Sequence, residues 1–333
     1  MGNVVFAAGS DKDSASMGTL PPPPPMTVAP TSPPTEAPKD EPASSSSERG
    51  NPGAYDDIHK KAKELFPQPL SGGKIAITKG VSPHFSTTHT LTLDQQQPST
   101  YSFSATYVGA NQTGPGESYP VILGEMDSTG ILNSQFINQW VDGLKSKIII
   151  QSNLGRWQGF QGDLEYRGST YTLGVAMANP DLLARTGMLV ANYQHSVTEN
   201  VAVGAEVMHQ RSAIEQTTLV SLIAKYQTNS FRFHATASPV GLHLSYYQYS
   251  TPNTQVAVEF QSSVVNSEST VTAGYQMDLP KAGATFRASV DTNWNVVSTV
   301  EKKMLPLPCT LTLSALINQS RHRCLFGIGF SLG

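Results

Sequence analysis

The chain has 333 residues, a net charge of −3 and a charged fraction of 14%, against roughly 25% in ordinary soluble domains. The slightly acidic balance excludes a nucleic-acid binder held by counterion release, and two cysteines, Cys309 and Cys324, exclude a disulfide framework for a chain this long. Mean hydropathy is only −0.23, so Ser, Thr, Asn, Gln and Gly fill the place of the missing charge, which leans away from a soluble sandwich whose edges Lys and Glu would protect.

The N-terminal stretch MGNVVFAAGSDKD lacks the basic region of a secretory signal. Gly2 suggests myristoylation, but Phe6 stands where that pattern wants Ser or Thr. Residues 1–50 carry PPPPP at 21–25 and SSSS at 44–47. Such density of Pro and Ser buries too little surface to fold, so this is expected to be a disordered tail. Residues 51–70 follow as NPGAYDDIHKKAKELFPQPL. Asn51-Pro52-Gly53 reads as a turn, Asp56 and Asp57 suit a helix N-terminus, and Ile58, Ala62, Leu65 and Phe66 recur at helical spacing before Pro67. The pattern predicts an amphipathic helix of about three turns over 54–66. It would cap a following domain or plug a barrel.

From Lys74 onward strand patterns repeat without an intervening helix. In STYSFSATYVG, Tyr101, Phe103, Ala105 and Tyr107 oppose Ser102, Ser104 and Thr106. In GATFRASVDTNW, Ala284, Phe286, Ala288 and Val290 oppose Thr285, Arg287, Ser289 and Asp291. The strands run to about ten residues, right for a tilted membrane crossing. Connections such as Asn229-Ser230, Thr251–Thr254 and Leu279–Lys281 are short. Many such strands follow one another, and no repeat of about 40 residues argues for a propeller. No run approaches the ~20 apolar residues of a membrane-spanning helix. The expected fold is therefore all-β, an up-and-down transmembrane barrel over 71–333. Apolar faces then meet lipid. By parity the lumen carries Asp94, Glu165, Glu206, Lys225, Arg232, Glu259, Asp278, Arg287 and Asp291, with Met208 and Leu316 as scattered apolar side chains.

The blocks NPGAYDDIHKKAKELFP, EYRGSTYT (165–172), GYQMDLPKA (274–282) and SVDTNWNVVSTVEKKM (289–304) make the chain specific. From about Asn51 to Gly333 it resembles the pore-forming channel subunits of the mitochondrial outer-membrane protein translocase, in their animal form. The resemblance implies a nineteen-stranded barrel of the mitochondrial porin superfamily, with parallel closure and the helix inside the pore. It also implies partners, namely a receptor, small single-helix subunits and precursor polypeptides. The final strand resembles the sorting signal of mitochondrial barrels: Gly327, Phe330 and Leu332 fit, whereas its polar position falls on Leu325. No catalytic motif is present, and no cofactor is expected. Passing basic, unfolded presequences asks for weak attraction at many points. Asp94, Glu165, Glu206, Glu259, Asp278 and Asp291 are expected to form that diffuse acidic track. A metabolite porin of the voltage-dependent anion-channel type is the nearest alternative, and a soluble β-rich interaction protein led by its proline tail is a more distant one.

Overall fold

The computed structural model describes residues 50–94, 98–114, 117–181, 186–212 and 215–333. The tail expected over 1–50 lies, apart from Gly50, outside the described residues. Among the described residues the chain forms nineteen strands, one α-helix and one 3-10 turn. The helix α1 (Lys60–Leu65) comes first, followed by β1 (Gly72–Ser82), β2 (Phe85–Leu93), β3 (Thr100–Gly114), β4 (Glu117–Asp127), β5 (Ile131–Val141), β6 (Leu144–Asn153) and β7 (Arg156–Arg167). Next are β8 (Tyr171–Asp181), β9 (Thr186–Ser196), β10 (Val201–Arg211), β11 (Gln216–Gln227), β12 (Phe231–Ser238), β13 (Gly241–Thr251) and β14 (Thr254–Ser263). The series ends with β15 (Glu268–Leu279), β16 (Ala284–Asp291), β17 (Asn295–Lys303), β18 (Cys309–Asn318) and β19 (Arg323–Leu332).

Each strand pairs antiparallel with the next, and β1 closes on β19 in parallel, from Gly72 opposite Gly327 to Ile77 opposite Leu332. An odd strand number in a meander leaves the first and last strands pointing the same way, so the closing pair must be parallel. Closure removes every free edge, which a sheet in hydrocarbon requires. No described helix is long and apolar enough to cross a membrane.

Alternation sorts the side chains as the sequence implies. Phe103, Tyr107, Leu173, Val175, Val203, Val207, Tyr275 and Val290 are exposed on the outside. Lumen positions between them carry polar side chains and charges of both signs. A charge on the outside costs roughly 2–4 kcal/mol near the midplane, so the pattern favours one orientation. Lys79, His89 and Lys302 are among the outward exceptions by register, and His89 Nδ1 is bonded to the outward Tyr101 hydroxyl at 2.6 Å.

The helix is shorter than expected. It spans Lys60–Leu65, and no acidic residue lies in its first turn, so Asp56 and Asp57 are not its N-terminal acids. The preceding residues close a tight turn, with Ile58 N–H donating to the Tyr55 carbonyl at 3.1 Å. His59, at the N-cap, makes no side-chain capping bond, because its ring is engaged by the barrel wall. Phe66 is extended rather than helical. Even so, Ala62 and Leu65 bury against Tyr247 and Ala257, with Phe66 packed alongside. The apolar core lies inside the barrel, between α1 and the lumen faces of β13–β15.

Candidate functional site: a lumen with one wall covered

Residues 51–71 are fastened to the inner wall at successive points. At the start, Asn51 Nδ2 donates to the Gly168 carbonyl at 2.6 Å, and Thr172 Oγ1 donates to Asn51 Oδ1 at 3.2 Å. The Lys225 ammonium, 7% exposed, donates to the Pro52 carbonyl at 3.0 Å and the Ala54 carbonyl at 3.3 Å. A buried charge is tolerated only with partners of this kind. Pro52 and Gly53 leave these carbonyls free of helical bonding, which is why the turn suits the lysine.

Tyr55 follows beside Glu206. Burial raises its hydroxyl above the ordinary range, and the Glu206 carboxylate it bonds adds to the shift. Tyr55, Asp56, Asp163 and Glu206 line a cavity of about 150 Å³, walled by Met188 and Val190.

His59 then enters a cluster on β12–β14. Its Nδ1 lies 2.8 Å from Ser245 Oγ and its Nε2 3.0 Å from Thr236 Oγ1. The ring stacks on His243 with centroids 3.6 Å apart, and His243 Nε2 meets Glu259 Oε1 at 2.5 Å. Two hydroxyls suit the neutral imidazole, one accepting and one donating. Burial, then His243, His234 and Lys63, hold His59 down to about 3, with Glu259 pulling the other way. Among the described residues no group of three or more His, Cys, Asp or Glu could hold a metal ion.

Beyond the helix, Gly274 makes room for Phe66, since a Cβ there would stand 2.7 Å from the Phe66 ring. Leu70 N–H donates to Ser314 Oγ at 3.0 Å, and Ser71 Oγ donates to Asp94. A Cβ on Gly327 would fall 2.2 Å from the Leu70 carbonyl oxygen. The backbone therefore enters the barrel at a point only glycine permits.

The six acidic residues read from the sequence do not form one continuous track. Glu165 is bound by Arg167 Nε at 2.5 Å. Glu206 faces the small cavity. Glu259, 7% exposed, is taken by His243 and by Gln261 Nε2 at 2.7 Å. Asp278 accepts from Gln276 Nε2 at 3.1 and 3.3 Å. Asp291 holds a turn, accepting from Asn295 N–H at 2.9 Å and Asn295 Nδ2 at 2.7 Å. Asp94 lies just beyond β2, beside Ser71. Arg287 donates to Glu301 Oε1 at 2.9 Å and to Gln276 Oε1 at 2.9 Å. Sequence reading passed over Asp163 and Glu301, although Asp163 shares strand parity with the chosen Glu165, and Glu301 shares it with Thr299, which lies opposite the chosen Arg287. Parity alone would have found them.

Of the sorting residues, Gly327 faces Leu70 while Phe330 and Leu332 are outward. All three stand in the parallel closing pair, with Phe330 opposite Ile75.

Comparison with known proteins places this lumen in a family. The family model for eukaryotic porins matches residues 51–327. A mitochondrial import receptor subunit TOM40 homolog from Xenopus tropicalis is 38% identical over 337 residues, covering 100% of both chains. The TOM40 homolog of Homo sapiens is 42% identical over 283 residues, covering 85% of this chain and 78% of its own length. TOM40 homolog 2 of Drosophila melanogaster is 37% identical over 286 residues, covering 85% and 84%. With full-length similarity, porin-family match and parallel barrel closure together, the chain belongs to the TOM40 group of the eukaryotic porin family.

Proposed function

We propose that this chain is the protein-conducting channel of the mitochondrial outer membrane, passing unfolded precursors from cytosol to intermembrane space. Family membership supports the reading most directly. The lumen adds a physical reason. Its wall offers many weak polar contacts, which suits a chain in transit. On this reading the protein is not an enzyme. The acidic side chains act singly and additively: Asp278, Asp291 and Asp94, away from the covered arc, each attract a basic presequence briefly, while Glu206 with Asp163 and Asp56 faces the cavity beside the chain's own segment. The receptor and single-helix subunits of the same complex would pack on the outward apolar face, and the barrel would oligomerise through them.

A metabolite porin of the anion-channel type shares the architecture, but the relatives favour protein import. Planar-bilayer recording separates the two. Added presequence peptide is expected to produce transient, voltage-dependent block of a cation-preferring pore. Anion preference with no peptide block would overturn the import reading.

A further inference from the structure

The geometry points to a seat for the phosphate of an anionic phospholipid at one rim of the barrel, between the β15–β16 turn and the β17–β18 loop. Pro280, Lys281, Gly283, Lys302, Lys303 and Met304 line an open cavity of about 410 Å³ there. Its walls are fixed by backbone bonds: Lys303 N–H donates to the Gly283 carbonyl at 3.0 Å and Met304 N–H to the Cys309 carbonyl at 2.9 Å. Three lysines thus line one space, Lys302 from the outward row at the end of β17 and Lys303 from the row beside it. None forms an ion pair among the described residues. The nearest acids along these strands are already engaged, Glu301 by Arg287 and Asp278 by Gln276.

Two observations say that the anion belongs to a lipid. Lys302 occupies the outward row of β17, beside Ala284 and Leu311, so its ammonium leads from the rim onto the lipid-facing wall. Beneath it Phe286 pairs with Val300, and Val300 with Leu313, a surface for acyl chains. The adjoining loop also presents Leu305 at 85% and Leu307 at 62% exposure. Exposed leucines beside unpaired lysines suit the headgroup boundary, where the apolar part enters the bilayer and the ammonium groups reach phosphate. A soluble phosphate would explain the lysines but not the leucines. The site needs only a barrel in a bilayer, and does not rest on protein import.

The test uses the purified full chain in nanodiscs of phosphatidylcholine and phosphatidylinositol, with retained lipid read by native mass spectrometry. Wild type is expected to keep phosphatidylinositol in preference to phosphatidylcholine. The triple variant Lys281→Gln, Lys302→Gln, Lys303→Gln is expected to lose that preference, each lysine accounting for about fivefold. The corresponding triple arginine variant should retain it, and unchanged unitary conductance of both variants shows that the barrel is intact. Undiminished preference in the glutamine variant would overturn the proposal. So would lysine-dependent binding of inorganic phosphate alone with lipid retention indifferent to the lysines.

Discussion

The lumen has two unlike arcs. Along β8–β14 its polar side chains are buried, as at Thr172, Gln194, Lys225, His234, Ser245 and Glu259. Along β2–β6 the corresponding residues, among them Thr88, Ser104, Gln135 and Lys147, remain partly exposed. Among the described residues of the second arc, the buried Ser146 lies on the outward row, where Trp140 Nε1 donates to it at 2.9 Å. Both arcs obey the same alternation and the same pairing. They differ because residues 51–71 lie across one and not the other. A covered polar wall must satisfy its groups with protein partners, whereas an open one leaves them to water and to whatever passes.

The largest expected effect comes from abolishing the difference altogether. Deleting residues 51–70 should raise unitary conductance and make the lumen thiols of Ser245→Cys and Thr172→Cys as reactive to a soluble maleimide as that of Ser104→Cys. Unchanged reactivity would mean that the segment does not cover this arc. A smaller perturbation is Leu65→Ala, which removes the side chain packed on Tyr247 and Ala257 and should weaken docking by about 2–5 kcal/mol. Limited proteolysis after Lys60 or Lys61 reports it, with faster cleavage expected in otherwise intact barrels. Lys225→Met comes next. It leaves the Pro52 and Ala54 carbonyls without their donor, at about 1–3 kcal/mol, and should loosen the start of the segment more than the helix.

Acidity sharpens the comparison further. His59 is held down to about 3 while docked and would titrate near its ordinary 6.5 if released. The docked state therefore binds fewer protons across that interval. His59's contribution to docking is complete above 6.5 and is progressively lost as pH falls toward 3. Maleimide access to Ser245→Cys should rise from pH 7.5 to pH 5, and His59→Gln should flatten the rise. The smallest effects are expected from single carboxylates. Asp278→Asn or Asp291→Asn alone should shift ion selectivity slightly, and replacing all six of Asp94, Glu165, Glu206, Glu259, Asp278 and Asp291 should remove cation preference. A single substitution that abolished it would replace the diffuse track by one dominant site.

Alternation carried much of this into the amino-acid sequence. Phe286 and Val290 outward with Arg287 inward follows from period two alone, as does Lys225 facing the lumen. What alternation cannot encode is which partner each lumen residue acquires. Glu165, Glu259 and Asp278 share one pattern in the sequence. One is locked to a neighbouring arginine, one buried beneath stacked histidines and one left beside a glutamine. The helix was legible as an apolar stripe but not in its length. Ile58, Ala62, Leu65 and Phe66 are all used inward, yet the wall's hold on His59 and on the Pro52 and Ala54 carbonyls keeps the first residues out of the helix. Gly274 looked like an ordinary strand glycine and Gly327 like part of the sorting signal; that Phe66 and Leu70 occupy the space above them was not legible.

The central claim is that one arc is occupied by the chain's own segment and the other is the path of the translocating polypeptide. Site-specific crosslinking of a precursor arrested in the pore tests it directly, with photoreactive residues placed at Thr88, Ser104 and Gln135 on one arc and at Thr172, Gln194 and Ser245 on the other. Adducts concentrated on the first set are the expected result. Adducts distributed equally, or concentrated on the second set, would contradict it.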